Sequence, residues 1–249
     1  MKTVLVVDLG IVEYGAAWAL QRRVVAARKA GAVPDVLLLC EHPHVITLGR
    51  SGKLANLHVS HHVLREMGVS FFETDRGGDI TYHGPGQLVG YPILNLAEIR
   101  RDVAWYVRSL EEAIIRATAD FGIPAKRVPG RTGVWVDVPV DPVAEEEKLA
   151  AIGVHLSRWV TSHGFAYNVS TDLRYFDLIV PCGIADRRAT SLEKLLARGV
   201  EMKEISPKIA AHLGESFDFD LCAGSADDLE LMLKAHEDRA ELAAVHVLL

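Results

Sequence analysis

Two residues of this sequence, Cys182 and Lys148, have the chemistry of a nucleophile and an activating cation. Cys182 lies in the run Ile179-Val180-Pro181-Cys182-Gly183, where proline ends a strand and glycine keeps side-chain bulk away from the sulfur. A cation ~4 Å from a thiolate, at an effective dielectric of ~20, is worth ~4 kcal/mol. Half of that would lower a thiol pKa by about 1.5, so a Lys–Cys pair is a feasible nucleophile. The alternative is a small buried cysteine without reactivity, which is how we interpret Cys40 and Cys222.

A glycine-rich stretch from residue 76 to residue 89 is typical of a binding-pocket wall. It holds four glycines, a strand-like Ile80-Thr81-Tyr82 and His83 at the strand end, and glycine lets a backbone approach a ligand closely. His83 and His163 are candidate bases for a cysteine nucleophile, and the alternative for each is a core histidine bonded to backbone. Arg50 follows a strand and could meet an anion, with solvation as the alternative.

Histidines also occur in two short clusters, Glu41-His42-Pro43-His44 and Ser60-His61-His62. His42 and His44 share a strand face only if Pro43 permits it, and no third ligand is evident from the sequence. We therefore predict no metal site and no cofactor.

The composition argues against several classes of protein. The chain has 249 residues, 49% of them hydrophobic, and a net charge of −6, which argues against a sequence-independent nucleic-acid binder. It has no run of 18 apolar residues, so no membrane span is expected, and its first residues are interpreted as a strand rather than a signal peptide. Three cysteines do not make a disulfide framework, which favours a reducing cytoplasm.

Strand-like and helical patterns alternate along the chain. Helices are predicted from Glu13 to Lys29, from Arg100 to Asp120, after Thr190, after Ser206-Pro207, and from Ser225 to about Leu242. Strands are predicted at Val4–Leu9, Val36–Cys40, Val45–Leu48, Ser70–Glu73, Tyr91–Leu96, Val134–Val136, Phe165–Val169 and Leu178–Val180. The charge run Glu145–Lys148 is interpreted as an exposed loop. The fold class is α/β or α+β, a mixed sheet covered by helices.

Six ordered motifs then resemble those of lipoyl(octanoyl) transferases, over roughly residues 3 to 215. They are Glu41-His42-Pro43 with Thr47-Leu48-Gly49-Arg50, the stretch from Arg76 to Leu88, Gly133-Val134-Trp135-Val136, Lys148 to Gly153, His163 to Val169, and Pro181-Cys182-Gly183. The resemblance implies a biotin/lipoate protein ligase-like fold, a mixed sheet with helices on one side. It also implies a catalytic region at 1–215, leaving 216–249 as an acidic helical extension packed on the same domain.

The resemblance further implies a reaction and residue roles. An octanoyl group would move from octanoyl-acyl carrier protein to a lysine on a lipoyl domain of a 2-oxoacid dehydrogenase or of the glycine cleavage H protein. Cys182 matches the acyl-thioester cysteine and Lys148 the lysine that tunes it, with His163 and Arg50 as auxiliary candidates. The segments that match acyl-binding segments contain Arg76, Gly77, Gly78, Asp79, Ile80, Thr81, Tyr82, His83, Ala151, Ile152, Gly153, Gly164, Phe165 and Ala166.

Two other functions remain open from the sequence. An ATP-dependent lipoate or biotin protein ligase on the same fold would use Lys148 without a covalent cysteine. A non-catalytic acyl- or lipoyl-domain binding module would not need Cys182 at all. His44 departs from the family pattern, and an acidic carrier protein would need a local basic patch, for which Arg50, Lys53 and Arg158 are candidates. A monomer is the default expectation.

Overall fold

A large mixed sheet forms the centre of the computed structural model, which describes residues 2–139, 145–180 and 188–247. In chain order the strands are β1 (Lys2–Ile11), β2 (Asp35–Glu41), β3 (Val45–Leu48), β4 (Ser70–Glu73), β5 (Ile80–His83), β6 (Gln87–Ile93), β7 (Ala125–Val128), β8 (Arg131–Val138), β9 (Glu145–Ser157), β10 (Val160–Asn168) and β11 (Phe219–Gly224). Eight of these described strands form the large sheet in the order β11-β1-β2-β6-β10-β9-β8-β7, and the small sheet has the order β4-β3-β5.

Alternation along the buried strands gives the large sheet two apolar faces. In β2, Leu37 and Leu39 face one core while Val36 and Leu38 face the other. Strand β1 pairs in parallel with β2 and β11, whereas β6, β10, β9, β8 and β7 continue the sheet antiparallel. Because both faces are apolar, both must be covered by other elements.

Helices cover both faces of the large sheet. They are α1 (Tyr14–Lys29), α2 (His61–Glu66), α3 (Val103–Ala119), α4 (Leu192–Leu196), α5 (Met202–Phe217) and α6 (Ala226–Val247). Helices α3 and α5 pack on the face of Leu37, and α1 and α6 contribute to the opposite core. The predicted mixed sheet with covering helices is confirmed. The prediction that the helices lie on one side of the sheet is wrong, because the apolar face that contains Leu38 is also packed against helices, α1 and α6.

The small sheet lies on the same face of the large sheet as α1, and Phe72 and His83 of the small sheet contact Tyr14 of α1. Its own core contains Ile46, Ile80 and Tyr82, with Leu64 from α2 and Ile179 behind them. Thr81 and His83 alternate with Ile80 and Tyr82 along β5, so they point away from this small core. The small sheet therefore has one packed face and one face turned toward the large sheet.

A β-bulge shifts the register in the middle of β9. Val134 pairs with Ala150 but Trp135 pairs with Lys148, so Leu149 is an extra residue on β9. Leu149 and Ala150 are consecutive, and both are fully buried in the core under α3 and α5. The bulge thus resets the alternation, which lets Lys148 and Ala151, three positions apart, both face the other side of the sheet.

The prediction of an exposed loop at Glu145–Lys148 is wrong, because these residues begin β9. The Glu147 side chain is only 6% exposed, and its carboxylate accepts hydrogen bonds of 2.8 and 3.0 Å from the Lys194 ammonium. An acidic run can enter a sheet here because a lysine on α4 neutralises its buried member.

Most other predicted elements are confirmed, but two have a different form. Residues Leu173–Leu178 make a short 3-10 helix, and Ile179 has only an isolated bridge to Leu57, so the predicted strand Leu178–Val180 is wrong. Helix α5 begins at Met202, where the backbone N–H of Glu201 donates to Glu204, and Pro207 lies inside it rather than in its first turn. Of the described helices, none is long and apolar enough to cross a membrane.

Candidate functional site

A cavity of about 320 Å³ lies between the small sheet and the face of the large sheet opposite α3 and α5. Its walls come from α1, from β5 and the turn before it, and from β6, β8, β9 and β10. The residues that line it are Tyr14, Arg76, Gly78, Asp79, Ile80, Thr81, His83, Gln87, Val89, Tyr91, Gly130, Arg131, Thr132, Trp135, Lys148, Ala151, Ile152, Gly153, His163, Gly164, Phe165, Ala166, Asn168, Phe176, Arg188 and Ala189. The volume and the mainly apolar lining are those of a small-molecule site.

The three segments predicted to bind an acyl group meet at this cavity. Gly153 and Gly164 are register partners on β9 and β10, so their segments lie side by side. The turn before β5 reaches them because the Gly77 N–H donates to the Val154 carbonyl at 2.9 Å. A Cβ on Gly153 would lie 2.7 Å from the Gly77 carbonyl oxygen, so only glycine permits this approach.

Arg76 holds the turn before β5 in place. The residue is 7% exposed, and its guanidinium donates to the Thr47 hydroxyl at 2.9 and 3.1 Å and to the Thr47 carbonyl at 2.6 Å. The same side chain donates to the Gly77 carbonyl at 3.1 Å. A buried cation thus stands in the cavity wall with its position set by strand β3.

Lys148 is presented to the cavity by the bulge in β9. Its ammonium nitrogen lies 4.6 Å from the centroid of the Trp135 ring, which is 3% exposed and lines the same cavity. Its backbone N–H donates to the Arg188 carbonyl, and its carbonyl accepts from the Thr190 N–H, each at 3.0 Å. Lys148 therefore anchors the residues that follow the segment 181–187.

Cys182 lies outside the described residues. The chain before it is anchored where the Val180 N–H donates to the Asn56 carbonyl at 2.8 Å, and the chain after it is anchored on Lys148. Phe176 and Arg188, on either side of the segment, both line the cavity. The role predicted for Cys182 stays a prediction.

His83 is a buried, neutral histidine in the cavity wall. Burial lowers its pKa to about 3, with smaller contributions from His42 and the Arg76 charge. Its Nδ1 lies 2.7 Å from the Gln87 Oε1, an acceptor because the Gln87 amide nitrogen donates to Asn168 and to the Tyr82 carbonyl. A side chain with so low a pKa is a poor general base near neutral pH, but its Nε2 can accept a hydrogen bond.

His163 lies on β10 with a backbone φ of 55° and is 2% exposed. Its N–H donates to the Gln21 side chain at 2.8 Å, and its Nε2 donates to the Asp75 carboxylate at 2.7 Å. Burial lowers the pKa of His163 in spite of Asp75. Burial opposes ionisation of Asp75, but the hydrogen bond and charge of His163 outweigh it and lower the pKa of Asp75. His163 thus orders one end of the cavity.

Three residues proposed from the sequence are not on the described cavity wall. Tyr82 is fully buried on the other face of β5, and its hydroxyl lies 2.7 Å from the His44 Nδ1. Gly77 contributes backbone contacts, and its N–H is already used by Val154, so it is not a spare donor for an oxyanion. Arg50 is exposed, and its N–H donates to the Arg76 carbonyl at 2.9 Å.

The first histidine cluster forms hydrogen bonds with neighbouring residues. The His42 ring contacts the Val12 carbonyl at 2.6 Å and the Tyr91 hydroxyl at 2.7 Å, while His44 pairs with Tyr82. Among the residues that the structure describes, no three His, Cys, Asp or Glu side chains form a group suited to a metal ion.

Several cavity residues were missed by the sequence analysis, chiefly Tyr14, Gln87, Trp135 and Asn168. Trp135, Gln87 and Asn168 stand inside motifs that were recognised, but only spatial proximity gives them a place in the site. Tyr14 begins α1, and its ring stacks on His83 with the centroids 6.0 Å apart. A helix-starting tyrosine carries no sequence signal of that contact.

The chain is similar to known lipoyl protein ligases and octanoyltransferases. Residues 13–214 match the family described as the lipoyl protein ligase A/B catalytic domain. An octanoyltransferase of Solibacter usitatus is 51% identical over 91% of this chain and 98% of its own length. An octanoyltransferase of Acidobacterium capsulatum is 56% identical over 74% of this chain and 77% of its own.

A solved structure with the same fold is a bipartite lipoate protein ligase of Thermoplasma acidophilum, described with its E2 lipoyl domain. It has a TM-score of 0.72 and covers 96% of this chain and 93% of its own, but it is 17% identical and so supports the fold alone. With this fold, the family match and relatives named octanoyltransferase over most of their length, the chain belongs to the lipoyl protein ligase A/B family and is an acyltransferase of its octanoyltransferase branch.

Proposed function

We propose that this chain transfers an octanoyl group from octanoyl-acyl carrier protein to a specific lysine of a lipoyl domain, through a thioester on Cys182. One observation carries the proposal. Lys148 lines an apolar cavity and is hydrogen bonded through its backbone to Arg188 and Thr190, the residues that follow the Cys182 segment. A cation and a thiol that meet at such a cavity would make an acyl-thioester site.

In the first step the Cys182 sulfur attacks the carbonyl carbon of the carrier thioester. The Lys148 ammonium stabilises this sulfur as a thiolate, and the carbon–sulfur bond to the carrier breaks. A proton passes from the Lys148 ammonium to the departing carrier sulfur, which leaves Lys148 as a neutral amine, and one thioester replaces another near energy balance. No nucleotide or metal is needed for this exchange.

In the second step the lysine of the acceptor attacks the Cys182 thioester as a neutral amine. A carbon–nitrogen bond forms, the bond to Cys182 breaks, and the neutral Lys148 takes the amine proton, which restores the Lys148 ammonium and the Cys182 thiolate. Lys148 is a better candidate for this base than His83, because the low pKa of His83 makes it a weak proton acceptor. The amide is more stable than the thioester and draws the reaction forward.

The apolar part of the cavity supplies binding energy for the acyl tail. Burying about six methylenes at ~0.8 kcal/mol each contributes ~5 kcal/mol. The acceptor is inferred to be a lipoyl domain of a 2-oxoacid dehydrogenase or the glycine cleavage H protein. We further propose a monomeric enzyme in the cytoplasm, where a catalytic thiol stays reduced.

We assign catalysis to residues 1–215 and treat residues 216–249 as an extension on the same domain. Strand β11 pairs with β1, and Leu229 and Leu233 of α6 are buried against the core that contains α1. Arg23 on α1 also forms bidentate hydrogen bonds with Glu230 and Glu237, at 2.7 to 3.0 Å.

Intact-protein mass spectrometry after mixing the enzyme with octanoyl-acyl carrier protein tests the thioester route. We expect an octanoyl adduct on the wild-type chain that is discharged by adding a lipoyl domain. The variant Cys182→Ser should give no adduct and no product. Cys222→Ser is the matched control, because Cys222 is an exposed thiol that could be acylated without function. The interpretation of Cys222 as a buried cysteine is therefore wrong, whereas Cys40 is buried as expected.

The same assay separates the transferase from the ligase and the binding module. If Cys182→Ser still forms product, the thioester intermediate is excluded. Product from labelled octanoate and ATP, with no carrier thioester present, would instead establish an adenylating ligase. Tight binding of the carrier with no product under any condition would leave only a binding module.

A further inference from the structure

A buried hydrogen-bond chain runs from His83 to the backbone of Lys148. The Gln87 side chain accepts from His83 at 2.7 Å and donates to the side-chain Oδ1 of Asn168 at 2.8 Å. The Asn168 amide nitrogen donates to the Thr190 carbonyl at 2.9 Å, and the Thr190 N–H donates to the Lys148 carbonyl at 3.0 Å. This chain joins a cavity side chain to Thr190 and Lys148, where the residues that follow the segment 181–187 are anchored.

In every hydrogen bond of this chain, the donor is the residue on the side of His83 and the acceptor is the residue on the side of Lys148. The Gln87 amide nitrogen has two acceptors, the Tyr82 carbonyl and Asn168, so its oxygen must face His83. His83 then carries its proton on Nδ1, and Nε2 is left as a hydrogen-bond acceptor. Bonds aligned in this way polarise one another and fix one arrangement of the whole chain.

The side chains of the chain are almost inaccessible to solvent. Gln87 is 1% exposed, Asn168 is 4% and His83 is 7%. Burying two amides is costly unless their groups are bonded, and apolar residues of similar size would fill the same space. Apolar residues could therefore provide similar stability at this position. What the hydrogen-bonded network adds is a single fixed geometry for the residues that it connects.

We propose that Gln87 and Asn168 are positioning residues, which fix the neutral tautomer of His83 at one end and the place of Thr190 and Lys148 at the other. The inference rests on the proposed function, because it makes Lys148 and the segment with Cys182 the parts that need this order. Neither amide reacts. Asn168 sets the distance between Lys148 and the chain that follows Cys182, and Gln87 presents the lone pair of His83 Nε2 to a donor in the cavity.

The variants Asn168→Asp and Asn168→Leu both remove the donor to Thr190, one with and one without a polar group. We expect kcat to fall on the order of 100-fold, the typical cost of a ~1 Å misplacement, while KM for the carrier changes little. Alkylation of Cys182 by iodoacetamide, followed against pH in a Cys222→Ser background, should also lose its wild-type profile. Both readouts report the arrangement of Lys148 and the thiol.

Tyr167→Phe is the matched control for general loss of stability. Tyr167 precedes Asn168 on β10, is fully buried, and shares a hydrogen bond of 3.1 Å with Thr118 on the face away from the cavity. It should lower the melting temperature and leave kcat and the alkylation profile unchanged. If the two Asn168 variants lose melting temperature but keep wild-type kcat and alkylation, or if Tyr167→Phe loses as much activity, Asn168 is not a positioning residue.

Nitrogen-15 NMR of the imidazole rings tests the Gln87 end without any activity assay. The wild-type His83 should be neutral at pH 6 with its proton on Nδ1. Gln87→Glu can still accept from His83 but stabilises the imidazolium, so the pKa of His83 should rise above its wild-type value. A wild-type proton on Nε2 would overturn the proposed direction. Absence of an octanoyl adduct on wild-type enzyme would overturn the proposed function while leaving this measurement decisive.

Discussion

The Lys148 ammonium lies 4.6 Å from the centroid of the Trp135 ring, and the two residues are direct register partners on β9 and β8. This pairing exists because Leu149 forms a bulge, without which Lys148 would not share a face with Ala151. The indole face attracts a cation and restricts the lysine side chain in a buried wall of the cavity. The position of the proposed base is thus set by the bulge in β9 and by the pairing of β9 with β8.

Trp135→Leu should reduce the rate of acyl transfer. Cation–π contacts are worth about 0.5–2 kcal/mol, so we expect kcat to fall roughly 2- to 30-fold. Trp135→Phe keeps an aromatic face and should lose less. Release of the carrier thiol, followed with a thiol-reactive dye, gives kcat for each variant, and equal rates in both would show that the aromatic face does not matter.

Gly153→Ala should destabilise the protein and reduce the cavity. The added Cβ would lie 2.7 Å from the Gly77 carbonyl oxygen, which cannot move without breaking the contact to Val154. We expect a loss of about 1–3 kcal/mol in the free energy of unfolding, measured with urea. Gly199→Ala is the control, since a Cβ there meets no atom within 4 Å in the part of the chain that the structure describes. A Gly153 variant as stable as that control would contradict the close approach.

Stability should depend on pH through His83. Because its folded pKa is lowered to about 3 from 6.5, the unfolded chain binds a proton more readily over this range. The contribution is complete above pH 6.5 and is lost as the pH falls toward 3, with a slope of up to ~1.4 kcal/mol per pH unit. His83→Gln should flatten the urea-unfolding free energy between pH 6 and pH 4. His62→Gln, at a site whose side chain is 71% exposed, should leave the slope as in wild type.

Lys194→Met should destabilise the start of β9. Glu147 is 6% exposed and would keep a buried carboxylate without its cation, whereas Lys194 itself is 48% exposed. Allowing for solvent screening of Lys194, we expect a loss of about 1–2 kcal/mol in the free energy of unfolding. The control is Lys203→Met, which breaks an exposed pair with Glu201 and should change the unfolding midpoint very little. Equal midpoints in the two variants would mean that the buried pair adds nothing.

The sequence by itself determined most elements and the location of the binding segments. Short apolar runs predicted strands such as Val45–Leu48 and Ser70–Glu73, because a strand packed between other elements is recognised by a run of apolar residues. The glycines from 76 to 86 and the segments around Gly153 and Gly164 were identified because a close approach of two backbones requires glycine, which is visible in the sequence. These are local constraints, so they can be recognised in one amino-acid sequence.

Only the tertiary structure decided which side chains meet. The bulge at Leu149 breaks the period of two, so no periodic pattern predicts that Lys148 faces Trp135. Gln87 and Asn168 are 81 positions apart, and their pairing follows from the antiparallel register of β6 and β10. Tyr82 was expected at the site, yet the alternation along β5 turns it into the small core and leaves Thr81 and His83 at the cavity. Register and packing between distant segments decide these contacts, and neither can be predicted from the local spacing of residues.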